Sequence, residues 1–156
     1  MKIDHRFVSI HKLTTYFGDE ICGNLPAYHS LTECDTTSYS FRIVKIKPFK
    51  KIITHNKCYL LSDLGRTPNS YKDLTKAKCF FRTCIYSGTE QERFVQTRIQ
   101  MYIKQKKIKS SLSLLPDENS TEQHLTRSDL QANIWYQCLR QNIEYPSITG
   151  RGWEKN

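Results

Sequence analysis

At 156 residues, one domain buries roughly 70% of the surface its unfolded chain would expose, and 9 Tyr, 7 Phe and 2 Trp add large apolar bodies to a 38% hydrophobic fraction, so a single core is expected rather than disorder. Twenty-four Lys and Arg against 15 Asp and Glu leave a net charge of +9 at pH 7, which favours anionic partners. The longest apolar runs are three or four residues, far below the roughly 20 of a membrane span, and Met1-Lys2-Ile3-Asp4-His5-Arg6 carries no sorting pattern; an intracellular chain without a membrane partner is expected.

In chain order, Phe7-Val8-Ser9-Ile10 reads as a short strand running into a helical turn that stops at Gly18. Residues 23–39 set an apolar patch (Leu25, Ala27, Tyr28, Leu31) among Gly, Pro, Ser and Thr, the pattern of a brief helix ending in a polar turn at Cys34 and Asp35. Arg42-Ile43-Val44-Lys45-Ile46-Lys47 alternates apolar and basic residues, the period of a strand with Val44 and Ile46 on one face, ended by Pro48.

Three helices follow. Ser70-x-x-Asp73 starts one whose face is Leu74, Ala77, Phe81, Cys84 and Ile85, terminated by Ser87-Gly88. Thr89-x-x-Glu92 forms a capping box for the next, with Phe94, Val95, Met101 and Tyr102 inward and Arg98, Gln105 and Lys106 outward, ending before Ser110. Ser120-x-x-Gln123 starts the last, with Leu130, Ile134 and Cys138 beside a stripe of Trp135 and Leu139, closed by Asn142 and Pro146. Trp153, between glycines and chain end, is expected to tuck back against the body. The class is mostly α with a few short N-terminal strands, in one domain made of residues 1–62, with the basic segment, and a helical region 63–156.

The charge is segregated. From Thr36 to Ser62 six cations (Arg42, Lys45, Lys47, Lys50, Lys51, Lys57) occur without an acid, and from Arg93 to Pro116 six more (Arg93, Arg98, Lys104, Lys106, Lys107, Lys109). Interleaved with Phe41, Phe49, Tyr59 and Tyr102, such segments suit a nucleic acid, because cations that neutralise phosphates release condensed counterions; a merely solubilising face, and an anionic lipid or acidic protein as partner, are the alternatives. Lys104-Gln105-Lys106-Lys107-Ile108-Lys109 also has the form of a nuclear import signal.

Catalytic patterns are sparse. The chain has no nucleophile elbow, Walker loop, H-E-x-x-H or zinc-deaminase pattern. None of the six cysteines forms a CxxC pair, and Cys79-x4-Cys84 would project about 140° apart on a helix. Reduced thiols packed as small hydrophobes are expected, with a zinc site using His5, His11, His29, His55 or His124 as the alternative. Glu33 and Asp35 are two residues apart and point to opposite sides of an extended turn. A two-metal nuclease needs a cluster of carboxylates around cations roughly 3.5–4 Å apart, so Asp35 alone cannot do that chemistry.

Leu25-Pro26-Ala27-Tyr28-His29-Ser30-Leu31-Thr32-Glu33-Cys34-Asp35-Thr36-Thr37-Ser38 resembles the LPALHALTGCDTTS signature of uncharacterised, mobile-element-like invertebrate proteins of the PIN/flap-endonuclease type. The resemblance continues in order. Leu64-Gly65-x-x-Pro68 is similar to the family's LGxxP, and Cys79-Phe80-Phe81 with Ile85-Tyr86 to its FVCxLYG. Arg98-Ile99-Gln100-Met101-Tyr102 with Lys104 is similar to RxxxFxxK, and Leu114-Leu115-Pro116 to LPP. Residues Gln123-His124-Leu125-Thr126-Arg127 and Gln131-Ala132-x-Ile134-Trp135 are similar to QHxxRAxYQAxIW, and Pro146 with Gly152-Trp153 to the P…YGW ending.

The resemblance implies that Asp35 is a metal-ligand-like acid and that Phe41–Lys51 corresponds to a helix-turn-helix gripping duplex phosphates through Arg42, Lys45, Lys47, Lys50 and Lys51. Mg²⁺ or Mn²⁺ would be the cofactor of any surviving nuclease activity. Two departures stand out: Glu33 replaces a glycine, and Arg42-Ile43-Val44-Lys45 lacks the glycines of a phosphate-binding turn. The family's preceding acid-bearing half has no counterpart here, so the expectation is an incomplete remnant of an α/β nuclease domain that binds nucleic acid. A residual metal-dependent nuclease completed by another chain, and a relic or protein-interaction module, are the alternatives.

Overall fold

A computed structural model describes residues 9–151 apart from 39, 41–42, 67–73 and 105–110. The described residues form six α-helices, α1 (Ile10–Gly23), α2 (Leu25–Thr32), α3 (Ile46–His55), α4 (Thr75–Phe80), α5 (Phe94–Lys104) and α6 (Glu118–Tyr136), with one isolated bridge between Cys34 and Thr37 as their only β pairing. Short 3-10 turns occupy Cys58–Leu61 and Ser111–Ser113, and α4 runs on into a π-helical turn, Phe81–Ile85. The mostly α class holds. None of these helices is long and apolar enough to cross a membrane.

Helix α1 begins where Ser9 accepts a hydrogen bond from the Lys12 N–H, so Ser9 and Ile10 open a helix instead of continuing a strand. Gly18, at φ 78° and ψ 167°, kinks the helix instead of ending it, and the chain stays helical on to Gly23. Helix α2 carries Pro26 in its first turn, where no N–H is needed, and buries Ala27, Tyr28 and Leu31.

Helix α3 corrects the strand reading. Val44 lies outside any strand and Ile46 opens the helix; both are exposed rather than paired on a buried face. Six alternating residues were too short a pattern to decide. The deciding period lies further on, in Pro48, Phe49 and Ile52, which turn inward together; Pro48 is tolerated because it sits in the first turn. Asn56, in the left-handed region at φ 48°, caps the helix and returns its N–H to Ile52.

The helix around α4 ends as expected, with Ser87 at φ 59° and the Gly88 N–H bonded to the Arg82 carbonyl; its Ser70-x-x-Asp73 start lies outside the described residues. The expected capping box does not start α5: the Thr89 N–H donates to Glu92 at 3.3 Å, but the helix opens only at Phe94, where the Arg93 N–H donates to Gln96 Oε1 at 2.9 Å. Phe94 and Thr97 are buried there, whereas Val95 and Tyr102 are 66% and 64% exposed, contrary to the inward reading. Helix α6 is capped by Asp117, not Ser120: its carboxylate accepts from the Ser120 N–H at 2.9 Å. Cys138 and Leu139 fall beyond its end and are exposed, so the stripe stops at Tyr136. Trp153 and the expected import signal, apart from Lys104, lie outside the described residues.

The core is continuous through both halves of the chain, from Leu31, Ile52 and Leu61 to Phe80, Leu115 and Leu125. Helix α6 lies against α2 and α4, and α3 meets the π turn. Cys58 and Cys84 are core thiols whose burial pushes their pKa up, as befits small hydrophobes, but Cys138 faces solvent.

Candidate functional site

The Asp35 turn follows directly from the end of α2. Glu33 adopts φ 127° and ψ 126°, a backbone region that favours glycine, and this is the position where the resembled signature has one. The next four residues close on themselves: the Thr37 N–H donates to the Cys34 carbonyl at 3.1 Å, and the Cys34 N–H donates to the Thr37 hydroxyl. The buried Thr37 hydroxyl in turn donates to the Ser30 carbonyl at 2.8 Å.

Helix α6 holds this turn from outside. The Thr36 hydroxyl donates to Gln131 Oε1 at 2.6 Å, and Ser128 donates to the Ser30 carbonyl at 3.1 Å. His124 spans the interface, with Nε2 2.9 Å from the Leu31 carbonyl and Nδ1 2.9 Å from Ser38 Oγ. A carbonyl only accepts, so Nε2 carries the proton and Nδ1 receives the Ser38 hydroxyl. Burial holds this imidazole below its ordinary pKa, partly offset by its bond to Leu31. Gly65 packs so closely on α6 that a Cβ there would lie 2.5 Å from Ala132 Cβ, and its N–H donates to the buried Asp129 carboxylate at 2.6 Å. The segments resembling LPALHALTGCDTTS, LGxxP and QHxxRAxYQAxIW therefore meet in one place, and their hydroxyls, histidine and glycine are spent on holding it together.

One side of this junction is open. A groove of about 490 Å³ is lined by His29, Glu33, Cys34, Asp35, Thr36, Lys45, Gln131 and Trp135. The His29 and Trp135 rings stack with centroids 5.1 Å apart at 10°. The Lys45 ammonium donates to His29 Nδ1 at 2.8 Å and to the Glu33 carbonyl, which places the His29 proton on Nε2. Burial and then the Lys45 charge push His29 below its ordinary pKa, against the opposing pull of Asp35 and Glu33. Asp35 is exposed and its carboxylate has no hydrogen-bond partner among the described residues.

The other expected cations separate into distinct environments. Lys47 and Lys50 are exposed on α3 and their ammonium groups have no partner among the described residues. Lys51 is different: it is half-buried, it donates to the Thr83 carbonyl and the Ser87 hydroxyl, both at 2.9 Å, and its burial lowers its pKa. It ties α3 to the end of the π turn. Arg42 lies outside the described residues.

A divalent cation at Asp35 would need several converging oxygen ligands. Among the described residues no group of three or more His, Cys, Asp or Glu is placed to hold a metal ion, and the groove beside Asp35 contains the Lys45 ammonium. These residues do not fit Mg²⁺ or Mn²⁺, and no metal-dependent step follows from them. Gln131 and Trp135, which complete the groove, carry no local sign of a site: they are 102 and 106 residues away from His29, which the sequence offered as a candidate ligand. Comparison of the chain with protein-family models, with curated proteins and with solved structures returned no match.

Proposed function

We propose that the chain is a catalytically incomplete, nuclease-like nucleic-acid-binding module, similar to the C-terminal part of the LPALHALTGCDTTS proteins, that grips phosphates with the outer face of α3. The observation that carries this reading is the pair Lys47 and Lys50, exposed three residues apart near the start of a helix whose first turn holds no acid and whose N-cap has no side-chain hydrogen bond. Both cations thereby add to the positive end of the helix dipole. The acid-free stretch from Thr36 to Ser62 keeps carboxylates of the same segment away from that face, and Lys45 and Arg42 precede it in sequence. Kinship with the resembled family is supported by the glycine-type backbone at Glu33 and by the meeting of three motif segments at α6. Lys51, already bonded to Thr83 and Ser87, is not assigned to phosphate.

Titration of a labelled duplex with the full chain at rising KCl tests the reading. Affinity should fall linearly on logarithmic axes, and Lys47→Ala with Lys50→Ala should reduce the slope by about 2. Lys76→Ala, which removes an ammonium 2.9 Å from Asp63, should leave the slope unchanged. Salt-independent binding, or a slope indifferent to the Lys47 and Lys50 substitutions, would overturn it.

A further inference from the structure

The groove beside Asp35 is chemically unlike the α3 face. Among the described residues it holds one ammonium, on Lys45, and two carboxylates, on Glu33 and Asp35, so a phosphate backbone is not drawn into it. What it offers instead is a flat aromatic wall formed by the stacked His29 and Trp135, an unpartnered acceptor on Asp35, and a donor on Gln131, whose carbonyl oxygen is occupied by Thr36 and whose amide NH₂ has no partner among the described residues. Its volume of about 490 Å³ falls within the range of small-molecule pockets and exceeds a single base. Lys45 belongs to both places, because it lines the groove and is the N-cap of α3.

We propose that this groove receives one unpaired nucleobase, with guanine preferred, from a strand whose phosphates lie along α3; the inference rests on the nucleic-acid reading above and adds single-stranded or unpaired substrate to it. A base stacks on the aromatic wall, which any base face satisfies. Guanine adds two parallel N–H donors, N1–H and the 2-amino group, that a carboxylate accepts together, and an O6 acceptor that suits the Gln131 amide. Those donors are engaged in a duplex, so only an unpaired guanine presents them. Asp35 is assigned on this account to base recognition and not to a metal.

The test uses the full chain with Trp153→Phe, which leaves Trp135 as the only tryptophan. Three probes are compared at one salt concentration: a thymine oligonucleotide carrying a single guanine, the same strand with hypoxanthine, which lacks the 2-amino group, and a fully paired duplex. The guanine strand should quench Trp135 fluorescence and bind about tenfold more tightly than the hypoxanthine strand. Asp35→Asn should abolish that difference, and Trp135→Ala should weaken single-strand binding about tenfold while duplex binding is kept. If Trp135→Ala fails to fold, Asp35→Asn decides, since the exposed Asp35 carboxylate has no partner among the described residues. Equal affinity for guanine and hypoxanthine strands, or a preference untouched by Asp35→Asn, would sink the proposal, and if the Lys47 and Lys50 effect on salt dependence persisted, the α3 reading would stand without it. A guanine preference in a protein indifferent to Lys47 and Lys50 would instead support the groove and overturn the α3 assignment.

Discussion

The junction of α2 and α6 buries polar side chains, whereas the outer face of α3 exposes apolar and basic ones. At the junction Thr37, His124, Ser128, Asp129 and Asn133 are buried, and each is hydrogen-bonded, mostly to backbone groups of α2, the Asp35 turn and Gly65. On α3, Ile46 and Ile53 are 54% and 43% exposed and Lys47 and Lys50 have no partner among the described residues. Buried polar groups are costly unless satisfied, so a satisfied set specifies one arrangement of the chain and tolerates little change. The α3 face carries no such constraint. The most distinctive stretch of sequence therefore builds the scaffold, and the less distinctive one is free to bind.

The sharpest way to break the junction is Gly65→Ala. A Cβ there meets Ala132 Cβ at 2.5 Å and the backbone is at φ +79°, so overpacking and left-handed strain combine to a loss of about 3 kcal/mol in denaturant unfolding. A midpoint unchanged from wild type would mean that α6 does not pack against Gly65.

Next in size is a pH effect at His124. Its folded pKa is depressed below the ordinary 6.5, so as pH falls through 6.5 the unfolded chain takes up a proton that the folded one refuses. Stability is full above that value and is lost below it, by up to about 1.4 kcal/mol per pH unit, until the folded pKa is reached. The more exposed His29 moves in the same direction. Thermal melts between about pH 7 and 5 should show the decline, and His124→Gln, which keeps an amide donor in reach of Leu31 but does not titrate, should flatten it. A profile equally steep in that variant would remove His124 as its source.

Glu33→Gly sharpens the comparison from the other direction. The backbone at φ 127° suits glycine, so relief of strain should exceed the added freedom of the unfolded chain and raise stability by about 1 kcal/mol. A lower unfolding midpoint would mean that the Glu33 side chain contributes more than its backbone costs. The smallest change is expected on α3, where Lys47→Ala with Lys50→Ala should alter stability by less than about 0.5 kcal/mol even as it weakens duplex binding. A large loss there would reassign both lysines to the scaffold.

Features with local causes were legible. Ser87-Gly88 ends the π turn, and the polar turn at Cys34 and Asp35 follows a short helix, because glycine freedom, proline restriction and hydroxyl turns act within a few residues. Readings that needed tertiary information were overturned. The alternation before Pro48 suggested a strand until Phe49 and Ile52 found a core to enter. The apolar spacing of α5 suggested that Val95 and Tyr102 turn inward, but it is Thr97 that is buried, with its hydroxyl bonded to Glu92. The buried face of α6 shows no simple apolar period at all, since His124, Ser128, Asp129 and Asn133 are accepted there only because other segments supply their partners.

The sequence by itself determined the mostly helical class, the concentration of positive charge between Thr36 and Ser62, and the turn that displays Asp35, all of which follow from composition and short-range chemistry. Tertiary structure alone decided which lysines are free. Lys50 and Lys51 are adjacent and chemically identical, yet one faces solvent and the other is held by Thr83 and Ser87. It also decided that Thr36 serves Gln131, 95 residues away, and that His29 and Trp135 form one wall. Partners so distant in the chain leave no spacing to read, because their contact is created only when α6 closes over α2.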